Sequence, residues 1–108
     1  MLFRSNEHCL MLLIENEDIL LTGDIAQNGL EIFLNEYEKT ISIVQIPHHG
    51  RYIKNTESMI TKLKPEIAFV SGKSSSFHEN TKKTYLKYNV KILKTFEQGA
   101  IILKKYYK

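Results

Sequence analysis

Short apolar runs recur along this 108-residue chain, separated by either a tight polar turn or an amphipathic stretch of helical length. That alternation limits the fold more than any other feature. Leu10–Ile14 and Ile19–Leu21 flank Glu15-Asn16-Glu17-Asp18, a polar link short enough for a hairpin, so the two runs read as paired strands. After Asp24 the period changes. Leu30, Phe33, Leu34 and Tyr37 fall on one face of a helix running from Gln27 to Glu38, with Glu31, Asn35, Glu36 and Glu38 largely elsewhere. Residues 41–46 are β-branched and partly alternating, which predicts a strand, and Pro47 stops it because proline cannot donate to a ladder.

The second half repeats the scheme. Asn55 is placed to cap a helix over residues 56–64, with Glu57 in its first turn and Met59, Ile60 and Leu63 as its buried stripe. Ile67-Ala68-Phe69-Val70 is continuously apolar, as in a strand buried on both faces. Ser71–Ser76 is a loop by composition, a third helix spans about 80–88, and residues 90–93 and 100–103 read as closing strands. The order β-β-α-β-α-β-α-β-β predicts one layered α/β domain with helices packed on a mostly covered sheet.

Composition fits a folded chain: 43% hydrophobic, 25% charged and a net charge of +3. Lysines 82, 83, 87, 104, 105 and 108 bias the second half positive, which solvated surface accounts for as readily as phosphate binding. No apolar run reaches the roughly 20 residues that span a bilayer, so no membrane insertion by this chain is expected. A basic segment followed by a long apolar stretch is missing at the N-terminus, and the single cysteine, Cys9, suits a reducing compartment. The default expectation is the cytoplasm.

Three polar positions fall just past strand C-termini, where α/β proteins place their sites. They are Asp24, the pair His48-His49, and the loop from Ser71 to His78. A carboxylate and imidazoles converging on one sheet edge suit a divalent ion such as Zn²⁺. Each also has a plainer reading. Gly-Asp after a strand makes a turn or a helix cap, His-His can be a solvated loop pair, and His78-Glu79-Asn80 can simply open a helix.

The run Ile19-Leu20-Leu21-Thr22-Gly23-Asp24, a helix, and then Val44-Gln45-Ile46-Pro47-His48-His49-Gly50 resembles the metallo-β-lactamase superfamily. Within it, the pattern is similar to the hydrolase-like domain of the ComEC competence protein family. The similarity continues through Lys64–Gly72, Phe77-His78, and Lys94-Thr95 with Gly99-Ala100-Ile101, while Asn6 and the apolar run after it fit the strand before Leu-Leu-Thr-Gly-Asp. It thus extends over essentially the whole chain. The resemblance implies the C-terminal half of an αββα sandwich, making residues 1–108 a partial domain whose N-terminal half is absent. It implies a divalent metal, Zn²⁺ or Mn²⁺. Asp24 would be the bridging carboxylate, and His48 or His49 the last ligand. His78, and Ser71 in the same loop, would lie near the substrate, with Asp24 and His78 as catalytic residues. The substrate class it implies is a phosphodiester in nucleic acid.

The chain also departs from that pattern. The His-x-(His/Asp)-x-Asp-His motif of the family does not occur among the four histidines at 8, 48, 49 and 78. Arg51 stands where the branch prefers Ser, and Glu79 where it prefers Pro. The metal site is therefore incomplete in this chain, and activity is expected only with an N-terminal half-domain as partner. The alternative is a non-catalytic α/β interaction module that forms a homo-oligomer through its uncovered sheet face. A receiver-like domain with Asp24 as phosphoacceptor lacks the acidic pair such a site needs, and only Lys73 speaks for it.

Overall fold

The computed structural model describes residues 2–4, 10–23, 27–72 and 74–94. A strand not foreseen, Leu2–Arg4 (β1), pairs antiparallel with Leu10–Ile14 (β2). Three residues are too few to show an alternation, so nothing in the sequence marked it. The expected hairpin follows. β2 pairs antiparallel with Ile19–Leu21 (β3), placing Leu13 opposite Leu20 and Ile14 opposite Ile19. Their link is a 3-10 turn at Glu15–Glu17, closed by Asp18 in the left-handed region at φ 58°. Asp18 then ties the hairpin to the next strand. Its carbonyl accepts from Ile43 N at 3.1 Å, and its carboxylate accepts from Ser42 Oγ at 2.5 Å.

From β3 onward the strands are parallel. Gln27–Glu36 (α1) leads to Ile43–Gln45 (β4), Thr56–Leu63 (α2) to Ile67–Val70 (β5), and Glu79–Lys87 (α3) to Lys91–Lys94 (β6). The six strands stand in chain order, β1-β2-β3-β4-β5-β6, so each helix connects adjacent parallel neighbours. The fold is a mixed α/β layer. The expected last strand at residues 100–103 lies outside the described residues, as do Cys9, His8 and Lys73.

Strand order decides where the core sits. Three successive crossovers of the same right-handed sense, each moving one strand along, carry all three helices to one face. Burial agrees with this. Leu20, Val44 and Ala68 stand side by side across the sheet and are fully buried. They share a single cluster with Leu30 and Phe33 of α1, Met59 and Leu63 of α2, and Tyr85 of α3. The stripes predicted for α1 and α2 are therefore the core, with Tyr37, just past α1, stacked on Phe33 at 5.0 Å between ring centroids.

The opposite face differs from expectation. Ile19, Ile43 and Ile67 form the neighbouring row, and all three stay partly exposed. In β5 only Ala68 and Val70 are buried, while Ile67 and Phe69 are not. The apolar run predicted burial on both faces, but the one-sided helices leave the second face only partly buried among the described residues. Leu12, at 38% exposure, belongs to this face as well.

Two caps also differ in detail. Asn55 precedes α2 but its side chain makes no capping bond; instead Thr56 Oγ1 donates to the Ile53 carbonyl at 2.8 Å. α3 starts one residue early, with His78 as its cap. Among the described residues no helix is long and apolar enough to cross a membrane.

Tyr85 provides a test of this core. Its side chain is fully buried and, among the described residues, its hydroxyl has no hydrogen-bond partner, and burial pushes the phenol well above its ordinary value near 10. Stripping an unpaired hydroxyl of water costs about 1–3 kcal/mol. Tyr85→Phe is therefore expected to hold or raise stability, by about 1 kcal/mol, in urea unfolding. The raised phenol contributes stability that is whole below pH 10 and is lost as pH rises above it, because the unfolded tyrosine ionises first. The variant is expected to lose less stability above pH 10. A loss of more than 1 kcal/mol at neutral pH would mean that the hydroxyl has a partner.

Candidate functional site

The parallel strands β3, β4 and β5 end on one edge, and the segment Pro47-His48-His49-Gly50 lies there. It follows β4 by one residue as a 3-10 turn with a kink. His48 and His49 both adopt φ 55°, and Gly50 continues at φ 93°. Side chains beyond glycine rarely enter this region, which costs on the order of 1–3 kcal/mol per residue and is held only where surrounding structure dictates it. Here the surroundings are specific.

Four contacts join this turn to every neighbouring segment of the edge. His48 N donates to the Gly23 carbonyl at 3.1 Å, just past β3. His49 Nδ1 lies 3.1 Å from the Ser71 carbonyl, just past β5. Gly50 accepts from His78 N at 3.0 Å, ahead of α3. Gly50 is also packed so tightly that a Cβ there would stand 2.7 Å from Phe77 Cδ1 and 3.0 Å from Phe77 Cα. The end of β3 is fixed independently by Gln45. Its Oε1 accepts from Thr22 N at 3.0 Å and from Gly23 N at 2.8 Å, while Thr22 Oγ1 donates to the Gln45 carbonyl at 2.9 Å.

The hydrogen bonds give the histidines different chemistry. A carbonyl can only accept, so His49 carries its proton on Nδ1 and keeps the Nε2 lone pair. A ligating imidazole is held in this way by its outer partners. His49 is exposed, and its ring rests on Gly72, where a Cβ would meet His49 Nδ1 at 3.0 Å. His78 is the reverse case. Its Nδ1 accepts from Asn80 N at 3.1 Å as the cap of α3, so its neutral form bears the proton on Nε2 and donates. Tyr52 lies beside it, with 6.3 Å between the ring centroids.

Of the residues singled out from the sequence, the structure brings His48, His49, Ser71 and His78 together on one edge. Ser71 takes part through its carbonyl in the contact described. Asp24 lies outside the described residues, although its neighbour Gly23 bonds to His48. Among the described residues no three His, Cys, Asp or Glu side chains form a group that could hold a metal. The sequence reading missed Gln45, Gly72 and Tyr52. Gln45 carried a signal, as a polar side chain near the end of a largely apolar expected strand; Gly72 and Tyr52 carried none.

The fit between Gly72 and His49 is testable. Gly72 sits at φ 112°, so Gly72→Ala adds both backbone strain and a contact with the ring. We expect a loss of about 1–3 kcal/mol in urea unfolding, with His49 resonances shifted more than those of His78. Unchanged His49 shifts would show that the ring does not rest there.

Comparison with known proteins adds one relative. Over 69 residues the chain is 29% identical to Recombination protein 2 of Haemophilus influenzae, a match covering 62% of this chain and 9% of that protein. No family model matches the chain, and no solved structure matches it.

Proposed function

We propose that this chain forms the C-terminal half of a metal-dependent hydrolase of the metallo-β-lactamase type, acting on phosphodiesters of nucleic acid once a complementary half is present. The observation that carries the reading is the strained His48-His49-Gly50 turn, which contacts to Gly23, Ser71 and His78 maintain and which sets His49, its Nδ1 against the Ser71 carbonyl, on the edge past the parallel strands. Similarity to a protein named for recombination, a process carried out on DNA, supports the substrate class. The second sheet face supports the half-sandwich, since Ile19, Ile43, Ile67 and Phe69 are apolar there and, among the described residues, no helix covers them. That layer, with the remaining ligands, would come from a segment of the same polypeptide or from a separate chain.

In this scheme Asp24 and the His49 Nε2 lone pair would hold a divalent ion, Zn²⁺ or Mn²⁺, with His48 as the alternative ligand. When bound, such an ion lowers the pKa of coordinated water and polarises the scissile group. This chain's own residues do the rest. Gln45 fixes the Thr22–Gly23 backbone next to Asp24, the Ser71 carbonyl fixes the His49 tautomer, and the His78 Nε2–H would donate a hydrogen bond to a phosphate oxygen.

Calorimetric titration with Zn²⁺ and with Mn²⁺ tests the reading. Stoichiometric binding is expected in the chain, weakened about 10- to 100-fold by His49→Ala or Asp24→Asn and unchanged by His78→Ala. Equal binding by the wild type and both ligand variants would remove the proposal.

The same partly exposed apolar face favours a second reading, a non-catalytic module that pairs with itself. Sedimentation separates the two. A concentration-dependent dimer that binds no metal supports the interaction module, and a concentration-independent monomer counts against it.

A further inference from the structure

Beside the histidine turn lies an open cleft of about 710 Å³ lined by Arg51, Tyr52, Ser75, Ser76, His78 and Asn80. Among the described residues its lining includes no carboxylate. Glu79, the first residue of α3, is next to His78 in sequence but is not part of the lining. Among the described residues the Arg51 guanidinium meets no carboxylate, and the residue is exposed. Arg51 is nonetheless well placed. It caps the histidine turn through its own N–H, which donates to the His48 carbonyl at 3.1 Å in extended backbone geometry. The side chain therefore starts from a fixed point. Across the cleft the His78 ring is held by Asn80 N on Nδ1, leaving Nε2 protonated. Among the described residues the cleft thus combines a permanent planar cation, an imidazole N–H and the hydroxyls of Ser75 and Ser76, without an opposing negative charge.

We infer that this cleft is a phosphate-binding site in which Arg51 clamps the phosphoryl oxygens and His78 donates a further hydrogen bond, with no metal required. A guanidinium matches two phosphate oxygens at once, which an ammonium or a hydroxyl cannot do. The inference deepens the hydrolase reading by assigning substrate positioning to a residue of this chain, and it rests on that reading for its role in turnover. It also gives a reason for arginine at a position where the family it resembles prefers serine. The substrate would be fixed by protein rather than by metal alone.

The test is a titration of the full chain in excess chelator with two probes, inorganic phosphate and a dinucleoside monophosphate, followed by amide and side-chain NMR shifts. Saturable shifts are expected at Arg51, Tyr52 and His78 with either probe; tighter binding of the diester would identify nucleic acid as the source, and tighter binding of phosphate a free terminal phosphate. Arg51→Ser should weaken binding about 10-fold or more and Arg51→Lys less, while both keep the wild-type spectrum elsewhere, because the side chain is exposed. Shifts confined to the lysines of α3, or equal affinity in Arg51→Ser, would overturn the inference. Because chelator is present throughout, that failure is separate from any failure of metal binding, which His49→Ala reports and Arg51→Ser does not.

Discussion

Three successive residues in the left-handed region, His48, His49 and Gly50, organise the functional edge of this domain. A turn of this kind is costly for histidine, and the cost is offset by what it reaches. It bonds to the end of β3 through Gly23, to the end of β5 through Ser71, and to the start of α3 through His78. Pro47 makes this possible by stopping the strand, since β4 ends at Gln45 and only Ile46 lies between them. A straight continuation of the strand would keep the two imidazoles in its own pleat, pointing to opposite faces. The turn instead takes the chain across the edge, so that segments far apart in sequence share one hydrogen-bonded rim.

The second constraint is the strand order. A sheet whose parallel strands follow one another in sequence has helices on one side only, and this sheet is apolar on both. The helix side holds a full core around Leu20, Val44, Ala68, Met59 and Tyr85. The other side presents Ile19, Ile43, Ile67 and Phe69 without a covering layer among the described residues. Rim and partly exposed face belong to the same logic. One gathers the candidate site on the edge where the parallel strands end, and the other follows from helices that all lie on one side.

Much of this was legible in the sequence, for physical reasons that differ from element to element. The hairpin at β2 and β3 and the helices α1 and α2 announce themselves by period and by their polar links. The edge location of His48, His49, Ser71 and His78 follows from counting apolar runs, because parallel strands end on the same side. What stayed hidden depended on three-dimensional partners. The partly exposed face was masked by Ile67–Val70, whose unbroken apolar run looks the same whether one face or two is covered. β1 was too short to register. The roles of the two ring nitrogens in His49 and His78 depend on the Ser71 carbonyl and the Asn80 N–H, which no spacing rule reveals. Arg51 was visible only as a departure from a resembled pattern until the cleft gave it neighbours.

The central claim is that the rim fixes His49 and His78 in opposite tautomers, one with its proton on Nδ1 and the other with its proton on Nε2. Long-range proton–nitrogen NMR correlation on the histidine rings measures this directly, at a pH where both are neutral. The account predicts a protonated Nδ1 at His49 and a protonated Nε2 at His78. Finding the proton on Nε2 of His49 would contradict it, because the Ser71 carbonyl would then face a lone pair and the turn would lose the contact that gives His49 its role.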